Sequence, residues 1–419
     1  MTASAGKTKL EVLFFSQRFP YPLDTGGKIR TAKILEQLKN VFDITLVSNM
    51  ESAQDNQYLE QVRNLCAEFR PVPWKEARKY TFRFYVKLFR AMFSRYPFTV
   101  INDYSRDLES VLCHLTISKP IDLLICDFLQ PSLNVRLLKG IPMLLFEHNI
   151  ESVIPRRHFE TARNAFARLF WWLQWRKMER YEKEACKLFT GVVVVSEKDK
   201  EILIDQFDAR NVHAIPTGVD TKFFAPQEEK IKPNSIIFTG SMDWLPNEDA
   251  ILFFVRDILR TVKQQIKEVT FTIVGRRPSR YLLKRLNSYP EVTVTGWVDD
   301  IRPYISSHMV YVIPLRIGGG TRIKAYEAMA MGKAVVSTKV GVEGLPVRHG
   351  EQLVIADEPR QFAAAVVGLL RNVDERKRLE VNARIFVESN FSWEKVAEVF
   401  ERTCRNVVEA AAIAPRQTY

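Results

Sequence analysis

The chain has 419 residues, 46% of them hydrophobic, with a net charge of +12 and a pI near 9.4. That length exceeds one ordinary core, so two domains are expected, and the apolar content excludes a disordered chain. The basic balance suits nucleic acid, an anionic membrane or a phosphorylated small molecule as partner, and by itself selects none of them.

The N-terminal residues Met1–Lys9 are short and polar and lead directly into a strand-like run, so no signal peptide is expected. No stretch reaches the roughly 20 apolar residues of a membrane span. Five cysteines, Cys66, Cys113, Cys126, Cys186 and Cys404, are scattered and form no C-x-x-C. They read as reduced thiols of a cytoplasmic protein, not as a disulfide frame or a zinc site.

Short apolar runs then alternate with helical patterns. The expected strands are Leu10–Phe15, Ile44–Val47, Leu123–Cys126, Met143–Phe146, Gly191–Val195 and Val212–Ile215. After them come Ser235–Thr239, Thr270–Val274, Val292–Thr295, Val310–Ile313, Ala334–Ser337 and Leu353–Ile355. Rich in Val, Ile and Leu and without polar alternation, these runs suit parallel strands buried on both faces, joined in βαβ units. A break with Pro216, Gly218, Pro226, Pro233 and the charged run Gln227–Lys232 separates two such series. Two Rossmann-like α/β domains are therefore expected, 1–217 and 218–393, facing across a cleft where a ligand would sit.

Two stretches interleave aromatic and basic residues. One runs from Arg78 to Phe98, with Arg83, Lys87, Arg90 and Arg95; the other runs from Arg156 to Lys187 and includes Phe170-Trp171-Trp172-Leu173-Gln174-Trp175-Arg176-Lys177. Both fit helices that lie on an anionic membrane surface. Both also fit helices with aromatics facing the core and cations facing water. No nucleic-acid recognition module is visible, so nucleic acid is not expected as a partner.

The strongest chemical signal is Ile317–Thr338, IGGGTRIKAYEAMAMGKAVVST. Gly318, Gly319 and Gly320 close a loop after a strand, Thr321 is a suitable N-cap, Arg322–Met331 has a helical pattern and Gly332 a stop. A glycine loop entering a helix N-terminus is an anion site. Arg322 and Lys324 in the first turn oppose the helix dipole, which makes sense beside a bound diphosphate; solvated surface cations are the alternative. Glu327 shares a helix face with Ile323 and Ala330, and a carboxylate there calls for hydroxyl or cationic partners, either a ribose or Lys324. His148 follows a strand, where ligands bind, and alternatively is satisfied by a carboxylate such as Glu147. The remaining histidines have no metal-ligand spacing, and Asp299-Asp300 reads as an N-cap, so no metal is expected. No nucleophile elbow or Ser-His-Asp order is present.

The Ile317–Thr338 segment resembles the donor motif of retaining GT-B glycosyltransferases of family 4. Other landmarks follow in order: Asp24-Thr25-Gly26-Gly27, Glu147-His148-Asn149, Val195-Ser196-Glu197, Pro216-Thr217-Gly218-Val219-Asp220 and Phe238-Thr239-Gly240-Ser241. Ile273-Val274-Gly275, Thr295-Gly296-Trp297-Val298 and Phe391-Ser392-Trp393-Glu394 complete the set. The subtype it is most similar to is the bacterial sugar transferases of exopolysaccharide and exosortase systems. The resemblance implies a GT-B fold with an N-terminal acceptor domain, a C-terminal donor domain and a last helix, about 394–415, packed back on the first. It implies a nucleoside diphosphate sugar as donor, no required cofactor, and a saccharide or polyprenyl-linked acceptor. Gly26 and Gly27 would approach the diphosphate and sugar, His148 the sugar or acceptor side, and Gly240 the donor. Gly296, Trp297 and Val298 would flank the base, with Gly319, Gly320 and Thr321 near the phosphates and Glu327 on the ribose.

Two departures stand out. Gly319 occupies the place of a glutamate frequent in the family, and Ser241–Asn247 lacks the usual Arg and Lys. Arg322 and Lys324 are therefore expected to take over the diphosphate, which makes them, with His148, the catalytic candidates. Retaining transfer would use same-face attack assisted by the leaving diphosphate. The alternatives are a sugar-nucleotide 2-epimerase on the same fold and a non-catalytic membrane- or polyanion-binding protein.

Overall fold

The computed structural model describes residues 9–51, 54–74, 81–162, 164–317 and 322–413, without the side chains of 82–85, 87 and 90. The chain forms two compact units, Met1–Pro216 with Val396–Tyr419, and Thr217–Lys395.

The first unit is built on a seven-stranded sheet: β1 (Leu10–Ser16), β2 (Phe42–Met50), β3 (Glu68–Pro73), β4 (Leu123–Asp127), β5 (Met143–Phe146), β6 (Gly191–Val194) and β7 (Val212–Ala214). Its order is β3-β2-β1-β4-β5-β6-β7, with every neighbouring pair parallel. The second unit has a six-stranded sheet of β8 (Ser235–Thr239), β9 (Thr270–Val274), β10 (Val292–Gly296), β11 (Val310–Ile313), β12 (Ala334–Ser337) and β13 (Val354–Ile355). Its order is β10-β9-β8-β11-β12-β13, again parallel throughout.

Both orders run outward from the first strand and then reverse, the doubly wound pattern. The reversal falls between β1 and β4 in one unit and between β8 and β11 in the other. Helices cover both faces, which is why the central strands are apolar on both sides: every residue of β4, β5, β6, β8, β11 and β12 is buried. Only β3 lacked an apolar signature in the sequence. It carries Pro71 and Pro73 and pairs with β2 alone, and an edge strand tolerates the missing N–H donors.

The second aromatic, basic stretch is two helices, Val153–Thr161 and Ala165–Leu188, separated where Asn164 caps the latter by accepting from the Ala167 N–H at 2.7 Å. Its aromatics divide. Trp171 stacks on His158 and Trp175 on Phe159, whereas Phe166, Leu169 and Trp172 are exposed. In the first stretch the helix is Phe82–Phe93, with Phe89 and Phe93 exposed and 5.2 Å apart. Among the described residues no helix is long and apolar enough to cross a membrane. The final helix, Trp393–Ile413, sets Phe400 edge-on against Phe146 and Arg405 over Phe42 in the first unit.

Candidate functional site

In the first unit the polar groups gather where the sheet order reverses. Asp127 ends an otherwise apolar strand and is fully buried; its carboxylate accepts from Ser16 Oγ and Thr31 Oγ1, both at 2.8 Å. It also accepts from His148 Nε2 at 2.6 Å, while His148 Nδ1 lies 3.0 Å from Arg30 Nη1. Since a guanidinium only donates, Nδ1 must be the acceptor and the proton sits on Nε2. Burial holds the His148 pKa below its ordinary value against the pull of Asp127, which agrees with a neutral ring. His148 is 3% exposed and stacked on Phe128 with ring centres 3.9 Å apart. Both of its nitrogens are thus engaged, and the carboxylate that satisfies it is Asp127. Glu147 lies instead against Glu182, where burial beside a second carboxylate holds its carboxyl well above the usual range.

Gly26 and Gly27 begin the helix Gly26–Leu38 just past β1, with Thr25 at the N-cap and no side-chain cap bond. The first turn holds no acid, so its N–H groups are open to an anion. Gly27 also has a packing reason: a Cβ there would come within 2.6 Å of the Phe128 ring.

In the second unit three glycines line up at the carboxyl ends of adjacent strands. The Gly240 N–H donates to Val274 O at 2.9 Å and the Gly275 N–H to Gly296 O at 3.1 Å. These loops are so close that a Cβ on Gly275 would lie 1.9 Å from Gly240 O. Beside Gly240 sits Lys324: Nζ donates to Asn247 Oδ1 at 2.7 Å and lies 4.4 Å over the Phe238 ring. Asn247 is itself held by its donation to Ser241 O at 2.7 Å. Burial pulls the Lys324 ammonium down to about 7, with Glu327 opposing that shift and Arg322 adding to it. Burial likewise raises the Glu327 carboxyl to about 7, offset by Lys324. Both side chains nonetheless keep a partial opening to solvent. Arg322 is 6% exposed, with Nη2 at 3.6 Å from Glu343. Trp297 is 68% exposed after Gly296, while Val298 packs on the core.

The structure therefore brings Gly240, Gly296, Arg322, Lys324 and Glu327 to the carboxyl side of one sheet, and Gly26, Gly27 and His148 to that of the other. Gly319, Gly320 and Thr321 lie outside the described residues. The helix expected from Arg322 runs instead over Ile323–Ala330, so Arg322 rather than Thr321 holds the N-cap position. Gly332 stops it in a left-handed conformation, φ 63°. Asp300 accepts from the Arg302 N–H at 2.9 Å, at the start of the helix Arg302–Ser306. No group of three or more His, Cys, Asp or Glu among the described residues is arranged to hold a metal.

Sequence reasoning missed Asp127, Arg30 and Asn247. The signal for Asp127 was there: a lone carboxylate closing an all-apolar run at the ligand end of a parallel strand. Asn247 carried no such mark, because its role rests on a partner 77 residues away.

Comparison with known proteins bears on both units. The family model described as Glycosyltransferase Family 4 matches residues 26–223, and Glycosyl transferases group 1 matches residues 233–372. An uncharacterized 44.6 kDa protein in the cps region of Klebsiella pneumoniae is 22% identical, over 92% of this chain and 97% of its own. The MMP alpha-(1->4)-mannosyltransferase of Mycolicibacterium hassiacum is 25% identical over 54% of this chain and 58% of its own. Among solved structures, sucrose-phosphate synthase from Thermosynechococcus elongatus superposes with a TM-score of 0.67 at 18% identity, covering 96% of this chain and 100% of its own.

Proposed function

This chain is a GT-B glycosyltransferase of family 4, an enzyme that takes its sugar from a nucleotide sugar, and on that premise we propose that it transfers a hexose, with retention of configuration, to a hydroxyl of a saccharide or polyprenyl-linked saccharide in surface polysaccharide synthesis. The mannosyltransferase relative supports the hexose, and the relative in a cps region supports the polysaccharide setting. The observation that carries the reading is the group at the end of the second sheet: Lys324 held by Asn247 beside Gly240, with Arg322 and Glu327 on the same short segment.

Each residue has a role that its surroundings support. Arg322 and Lys324 take the diphosphate, and their charge together with the helix N-terminus stabilises the leaving phosphate. Burial pulls the Lys324 ammonium down to about 7, so a dianionic neighbour restores its charge. Glu327 accepts from the ribose hydroxyls, while Gly296, Trp297 and Val298 border the base. Gly319, Gly320 and Thr321, which precede Arg322 in the sequence, are assigned to the phosphates with it. In the first unit, Gly26 and Gly27 offer open helix N–H groups to the donor, and His148 borders the transferred sugar, oriented by Asp127 and Arg30. With two cations at the phosphates, no metal is required.

The acceptor is met at the inner face of the plasma membrane. On the helix Ala165–Leu188 the exposed Phe166, Leu169 and Trp172 run on at helical spacing into Arg176, Arg180 and Lys183. An apolar stripe continued by cations suits an anionic lipid surface.

The test is incubation of the full chain with radiolabelled UDP-, GDP- and ADP-hexoses and a membrane extract, with and without EDTA. Free nucleoside diphosphate formed only with the extract, and equally with EDTA, is the expected result. Turnover of none of these donors overturns the reading.

A further inference from the structure

Next to the His148 cluster, still within the first unit, lies a cavity of about 340 Å³. Small-molecule sites span roughly 300–1,000 Å³. It sits at the carboxyl ends of β1, β2 and β3, the ligand side of the sheet, where Gln17, Asn49 and Trp74 line it. Asn49 is the telling residue. It is 4% exposed, and among the described residues neither its amide nitrogen nor its amide oxygen has a hydrogen-bond partner. Leaving such a group unsatisfied costs about 1–3 kcal/mol, and buried polar groups are rarely left so. A carboxamide both donates and accepts, which matches a pair of neighbouring hydroxyls.

The rest of the wall narrows the chemistry. Trp74 and Tyr21 supply aromatic surface, suited to the C–H faces of a pyranose. Arg18 and Lys28 are balanced by Glu51, Asp55 and Asp103, so the cavity lacks the positive excess that a phosphate or polyanion would select. Arg18 also ties the cavity to the cluster already described, lying 4.7 Å over the Phe128 ring that stacks on His148.

We propose that this cavity holds the terminal sugar of the acceptor, a neutral pyranose whose adjacent hydroxyls are read by Asn49. This rests on the reading that the acceptor is a saccharide. Saturation-transfer NMR on the full chain tests it with methyl glycosides of glucose, galactose, mannose, N-acetylglucosamine and glucuronic acid as probes. At least one neutral glycoside should receive saturation from the wild type. That signal should fall at least tenfold in both Asn49→Leu and Trp74→Ala, while calorimetric binding of UDP and GDP stays as in the wild type. Binding of no neutral glycoside to the wild type, or a signal that survives both substitutions, overturns the proposal. Loss of UDP and GDP binding from the wild type itself would count against the donor reading instead, so the two failures are distinguishable.

Discussion

The two sheets reverse their strand order in the same way, yet the groups at the two reversals behave oppositely. Around Asp127 the hydrogen bonds converge: Ser16, Thr31 and His148 all donate to one carboxylate, and Arg30 Nη1 donates to the remaining ring nitrogen. Around Lys324, among the described residues, one hydrogen bond to Asn247 holds a cation whose pKa, like that of Glu327 nearby, has moved to about 7. A closed network is rigid and insensitive to what binds beside it. A half-satisfied pair poised near neutrality responds to added negative charge. On the proposed function, the first site is a scaffold for the sugar side, and the second is where the charge of the donor is felt.

The largest effect should come from breaking the closed network. Asp127→Ala leaves the buried Arg30 charge without its main counterion, and losing one partner of a buried pair costs about 3–5 kcal/mol. Urea unfolding measures this, and a loss under 1 kcal/mol would show that the network is not structural. Arg322→Ala should next weaken nucleoside diphosphate binding about 100-fold by calorimetry, equivalent to roughly 2.7 kcal/mol. Unchanged affinity would remove Arg322 from the diphosphate. Gly275→Ala drives a Cβ into Gly240 O and should lower stability by about 1–3 kcal/mol, read by urea unfolding, while binding also weakens because the Gly240 loop must move.

The smallest effect separates the two regions most cleanly. A bound diphosphate favours charged Lys324, so affinity should hold below pH 7 and fall as the pH rises through about 7. The ribose favours ionised Glu327, so affinity should also fall as the pH drops below about 7. Calorimetry across pH should give a maximum near neutrality, with slopes of up to about tenfold per pH unit. Lys324→Met should flatten the alkaline limb and Glu327→Gln the acid limb. A flat wild-type profile would mean that neither group senses the donor.

Much of this architecture was readable in the sequence. The bounds of β5, β8, β9, β11 and β12 follow from their apolar runs, because strands buried on both faces cannot hide their composition. β3 was not readable, since an edge strand with two prolines and charged neighbours lacks that constraint. The candidate donor segment announced itself through local spacing: a glycine-rich run, then Arg322 at an N-cap and Lys324 and Glu327 within the short helix that follows. What stayed hidden depends on the tertiary fold. Asn247 and Lys324 meet only because β8 and β11 are neighbours, and Arg30 finds His148 only because β1, β4 and β5 are. The packing need for Gly27 likewise appears only once Phe128 is placed.

The most direct test is a crystal structure of the full chain with whichever of UDP and GDP raises its melting temperature more. The phosphates should lie against Arg322, Lys324 and the start of the helix Ile323–Ala330, with the ribose on Glu327. A diphosphate bound elsewhere, leaving Lys324 on Asn247 alone, would contradict the account.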